Sequence, residues 1–66
     1  MKDTIQEALE QKFNELLFEN VIVVTSTSQY NGYLFHIGKD YIRLVPAQTS
    51  IDHFIRKDLI ISIEHK

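Results

Sequence analysis

Residues 21–45 read VIVVTSTSQYNGYLFHIGKDYIRLV, and their period decides the architecture. Val21 to Thr27 is almost wholly β-branched, the side-chain type that suits a pleated strand. Its opening residues are apolar on both faces, so cover is expected on both. Gln29, Tyr30, Asn31 and Gly32 carry turn chemistry and predict a turn. Tyr33 to Ile37 reads as a second strand, closed by Gly38, Lys39 and Asp40. Tyr41 to Val45 reads as a third. It alternates cleanly, with Tyr41, Arg43 and Val45 on one face and Ile42 and Leu44 on the other.

Working toward the C-terminus, Pro46 to Ser50 breaks the pattern and Ile51 to Ile55 reads as a fourth strand. Arg56, Lys57 and Asp58 make a tight connection, and Leu59 to Ile63 reads as a fifth. That last run is uncharged and strongly β-prone. Exposed at a sheet edge it would recruit another strand, so it must be buried or paired with a neighbouring chain.

Toward the N-terminus the period changes to that of a helix. Ile5, Ala8, Leu9, Phe13, Leu16 and Leu17 recur at steps of three and four, predicting an amphipathic helix over 4–19. Thr4 with Glu7 fits a capping box at its start, and Asn20 suits its end. Gln6, Glu7, Glu10, Gln11, Asn14 and Glu15 form the polar side, read as a solvated face.

The expectation is one domain over residues 1–66: mainly β with one helix, an N-terminal helix followed by a small five-stranded bent antiparallel barrel over 21–64. At 66 residues with no cysteine, the chain has little core and no disulfide to supplement it, so oligomerisation is expected. Lack of cysteine, of an apolar signal core and of any membrane-length apolar run predicts a cytoplasmic protein with no membrane partner.

Net charge is −2 at a sequence pI near 5.8, without the basic footprint of a freestanding nucleic-acid module. The charge is segregated. Residues 1–20 carry Asp3, Glu7, Glu10, Glu15 and Glu19 against Lys2 and Lys12, while the remainder carries one more basic than acidic side chain. A local cationic patch is therefore compatible with an acidic total. His36, His53 and His65 lack metal-ligand spacing, so no metal is expected. No nucleophile elbow, carboxylate pair or Gly-rich phosphate loop stands out, and neither a catalytic residue nor a cofactor is expected. Phe35 and Phe54 are read as core. Tyr41 is either a stacking platform beside Arg43 or an interface residue. Gly32 is read as structural, a position where a bent strand or tight turn needs no side chain.

Two stretches resemble the two-part pattern of Sm-like proteins. The first is Gly32-Tyr33-Leu34-Phe35-His36-Ile37-Gly38-Lys39-Asp40-Tyr41-Ile42-Arg43-Leu44, and the second is Phe54-Ile55-Arg56-Lys57-Asp58-Leu59-Ile60-Ile61-Ser62-Ile63. The organisation is similar to that of the bacterial RNA chaperone Hfq and of little-studied Sm-like families of spore-forming bacteria. The resemblance implies RNA or nucleotide contacts from Lys39, Asp40, Tyr41 and Arg43, and from Arg56, Lys57 and Asp58. Two departures stand out. Arg43 takes the place of the family's base-reading asparagine, and Lys57 that of the glycine in its second turn. Of the tyrosine-lysine-histidine motif of Hfq, only Lys57 is present. The resemblance further implies a homo-oligomeric ring of about five to seven copies, in which strand four pairs with strand five of the next subunit. The implied interface residues are Ile51, His53 and Ile55 with Leu59, Ile60, Ile61 and Ile63. The function expected is a non-catalytic, ring-forming protein that binds RNA or a nucleotide. The alternative is a structural or protein-interaction module with no nucleic-acid ligand.

Overall fold

The computed structural model describes residues 4–47 and 51–66. Helix α1 spans Thr4–Leu16. Strands β1 (Asn20–Thr25), β2 (Gln29–Ile37), β3 (Tyr41–Val45), β4 (His53–Arg56) and β5 (Ile60–His65) follow, with a single 3₁₀ turn at Lys57–Leu59 between β4 and β5. All pairings are antiparallel and the sheet order is β4-β3-β2-β1-β5. The sheet is bent but not closed by hydrogen bonds, so β4 and β5 are its two edges.

The helix stops three residues before the expected end. Phe18 takes a left-handed backbone, φ 68°, and its N–H donates to the Leu34 carbonyl at 2.8 Å. The Leu34 N–H in turn donates to the Glu19 carbonyl at 2.9 Å. These two bonds draw the chain into the sheet, and Asn20 opens β1 opposite Tyr33 instead of ending the helix. The Thr4 side chain, on which the expected capping box rests, and residues 48–50 of the expected break over 46–50 lie outside what is described, while Pro46 and Ala47 follow the end of β3 as expected.

β1 faces the core with Val21, Val23 and Thr25, while Ile22 and Val24 are half-buried, so only one of its faces is fully covered. The turn after it is not at Gln29–Gly32, which is already strand. The Thr25 hydroxyl makes the turn earlier. Its oxygen accepts from the Ser28 N–H at 3.0 Å and from the Thr27 N–H at 3.3 Å, and the hydroxyl donates to the Ser28 carbonyl at 3.0 Å. Strand β2 therefore runs nine residues. It pairs with β1 over residues 29–33 and with β3 over residues 33–37, which requires it to bend.

Gly32 sits at that bend. A Cβ there would lie 3.2 Å from both the carbonyl carbon and the oxygen of Val45, and 3.3 Å from the Leu44 Cβ. The close approach of β2 to β3 backbone is what needs glycine. Gly32→Val should cost about 1–3 kcal/mol by overpacking. Thermal unfolding followed by circular dichroism should show a fall of roughly 4–8 °C for each kcal/mol. An unchanged midpoint would mean the strands do not approach as described.

The core is Phe13 and Leu16 from α1 with Val21, Val23, Leu34, Ile42, Leu44, Ile55, Ile60 and Ile63 from all five strands. The helix packs against β5 and β2, and Leu9 and Leu17 pack against the same core. Tyr41, Arg43 and Val45 lie outward on β3, and Ile42 and Leu44 are fully buried, as the alternation required.

Candidate nucleic-acid interface and assembly edges

Strand pairing brings residues of three strands onto one outer face. Arg43 on β3 stands opposite His36 on β2 and Phe54 on β4. A register shift between Leu34 and His36 makes Phe35 an extra residue in β2. Leu34 keeps its place in the core and Phe35 turns outward. Phe54 also points out, because its neighbour Ile55 takes the inward position. Both phenylalanines were expected in the core, yet they are 46 % and 63 % exposed.

The Arg43 guanidinium carbon lies 4.9 Å from the Phe35 ring centre and 5.6 Å from that of Phe54. Its Nε donates to Asp52 Oδ2 at 2.7 Å. The ring of Tyr41 lies 5.8 Å from Phe54 and 6.2 Å from His36. Gly38 makes room for that ring, since a Cβ on it would come within 2.8 Å of the Tyr41 Cε1. The result is an exposed aromatic surface organised round one arginine. Planar faces beside a guanidinium offer stacking and cation–π contacts to bases.

The expected cations are not all on that face. Lys39 is exposed in the tight turn between β2 and β3, and among the described residues it has no acidic partner. Asp40 is exposed beside it, and its carbonyl accepts from the Lys57 N–H at 2.8 Å. Arg56 pairs with Asp58 at 2.9 Å, both side chains largely in solvent, which is a weak contact. Lys57 faces the other way. Its Nζ lies 2.6 Å from Glu10 Oε1 and 5.6 Å from the Phe13 ring centre, with its side chain only 12 % exposed. It fastens the helix to the β4–β5 connection. Glu10, read from sequence as part of a solvated face, is its partner 47 positions away, a separation that leaves no local sequence signature.

The two sheet edges carry apolar side chains into solvent. Phe54 is exposed on β4, Leu59 and Ile61 are exposed at β5 and just before it, and Ile51 is exposed ahead of β4. Ile61 is pushed out by a register shift where β5 pairs with the end of β1. Ile55, Ile60 and Ile63, expected at the interface, point instead into the subunit's own core. His53 is half-buried with its ring 5.1 Å from that of Tyr30. Among the described residues, no three metal-ligating side chains converge, and no helix is long and apolar enough to cross a membrane.

Comparisons of the chain with protein families, with curated proteins and with solved structures found no match.

Proposed function

We propose that the protein is a non-catalytic, ring-forming module of the Sm-like kind, assembled by adding β5 of one copy to β4 of the next. The single observation that carries this reading is the open sheet, whose two edges are β4 and β5 and whose edge residues expose Phe54 and Ile61. Unpaired backbone groups on two complementary edges of one sheet favour head-to-tail strand addition, and a contact of that type closes into a ring when the rotation permits. Counting copies by native mass spectrometry tests it.

On this reading the ring binds single-stranded RNA or a nucleotide on the face of Phe35, Tyr41, Arg43 and Phe54, with Lys39 at its rim. Stacking rather than charge dominates, since Arg43 and Arg56 are each paired with an aspartate. Tyr41→Ala should weaken binding of a short RNA roughly tenfold, the worth of one stacked base. Fluorescence anisotropy at low salt measures it. Absence of RNA binding by the unmodified protein at low salt would remove the ligand half of the proposal. The alternative, a structural or protein-interaction module without nucleic acid, is favoured by one observation: Arg43, Arg56 and Lys57 are all neutralised within the chain.

A further inference from the structure

Between β4 and the β1–β2 turn lies an open cleft of about 300 Å³. Tyr30 and His53 form one wall, their rings 5.1 Å apart and inclined at 55°. Ile55 and Leu59 supply apolar surface, while Thr27 and Arg56 bring polar groups to the lining. The volume is at the lower end of that of small-ligand sites, which favour the mouths of β-barrels and combine aromatic walls with a few polar groups.

Three features point to the ligand. Among the described residues, no ring nitrogen of His53 has a hydrogen-bond partner, so His53 can serve the edge of a ring stacked on Tyr30. Inclined at 55° to the His53 ring, the Tyr30 ring offers a face on which a flat ring can stack. Among the described residues, Arg56 is held only by its solvent-exposed pair with Asp58, which an anionic group can replace at small cost. Lys57, the next cation in the chain, is committed to Glu10 and does not line the cleft.

We infer that this cleft binds one nucleotide unit: a flat heteroaromatic ring against Tyr30 and His53, with its phosphate on Arg56. The unit is a free nucleoside monophosphate or the phosphorylated end of an RNA strand. This deepens the ligand side of the function proposed above and concerns the subunit with its β4 edge uncovered, since His53 to Arg56 line the cleft. It is a second site that adjoins the Phe35–Tyr41–Arg43–Phe54 surface and shares Phe54 with it, while Phe35, Tyr41 and Arg43 do not line the cleft.

Amide and side-chain NMR shifts of the full chain, titrated with adenosine monophosphate, test it. Saturable shifts at Thr27, Tyr30 and Ile55 with a midpoint below about 1 mM are expected. Adenosine without phosphate, and Arg56→Gln with the monophosphate, should each bind about tenfold more weakly, the loss of one charge-assisted hydrogen bond. Tyr30→Leu should lose about tenfold through stacking. Tyr30→Phe keeps the ring and should remain within roughly threefold, which separates lost stacking from damage to the fold. An RNA with a 5′ phosphate that shifts these residues, where its 5′-hydroxyl twin does not, identifies the strand end as a source. If the monophosphate produces no saturable shift, or shifts only Tyr41, Arg43 and Phe35, the cleft assignment is overturned. In the second case the nucleic-acid face stands without it. If RNA shifts neither set of residues, the ligand side of the functional proposal fails as well.

Discussion

Phe13→Ala should remove about 3–5 kcal/mol of stability, the usual cost of deleting a fully buried aromatic ring. A domain of this length has a total of roughly 3–10 kcal/mol, so the variant should be near its unfolding threshold at room temperature. Phe13 is 1 % exposed and is the helix's deepest contact with the sheet core. Its ring also lies under the Lys57 ammonium, which reaches across to Glu10 one turn earlier. Removing the ring therefore empties core volume and loosens the helix clamp together. Urea denaturation at matched protein concentration measures the loss. An exposed helix position such as Glu15→Ala serves as reference and should change stability by no more than about 0.5 kcal/mol. A loss below about 1 kcal/mol for Phe13→Ala would contradict the packing of α1 as part of the core.

Ile61→Lys should dissociate the proposed ring while leaving the subunit folded. Ile61 is 62 % exposed at a bulge in β5, so the folded monomer loses little by its replacement. In an assembled ring the same position is covered by the neighbouring β4. An ammonium buried there without a partner costs about 3–5 kcal/mol at every interface. That is a weakening of at least roughly a hundredfold per contact. Lysine at sheet edges is the ordinary means by which proteins prevent strand addition. Ile61→Val, which keeps the apolar β-branched surface, should leave assembly intact. Light scattering after gel filtration reads both variants. If Ile61→Lys assembles as well as the unmodified chain, β5 is not the joining edge.

The features legible in sequence were those whose cause is local. Strand β3 was read with its boundaries and both faces because its alternation is uninterrupted and glycine and proline lie close to its ends. The period of the helix is legible, yet its end is not. What stops it is a pair of backbone hydrogen bonds to Leu34, which no helix-end residue announces. Asn31-Gly32 has the composition of a hairpin turn, so composition predicts a turn where the first half of β2 runs. The turn is formed by the Thr25 hydroxyl, and Gly32 serves a close strand approach. A bulge is equally silent in composition, so sequence alone puts Phe35 in the core. Within the candidate site, Arg56 and Asp58 are two residues apart and visible as a pair. Lys57 and Glu10 meet only because the fold brings the helix to the β4–β5 connection. Long-range pairing of this kind decides which cations remain for a ligand.

A small core with no cysteine is the ordinary ground for expecting completion by association. The open sheet makes that expectation specific, with β4 and β5 as the edges to be joined. Sedimentation equilibrium of the unmodified protein at tens of micromolar tests it most directly. A single species of about five to seven times the 7.8 kDa subunit mass is expected, independent of loading concentration. A species of 7.8 kDa throughout that range would contradict the account.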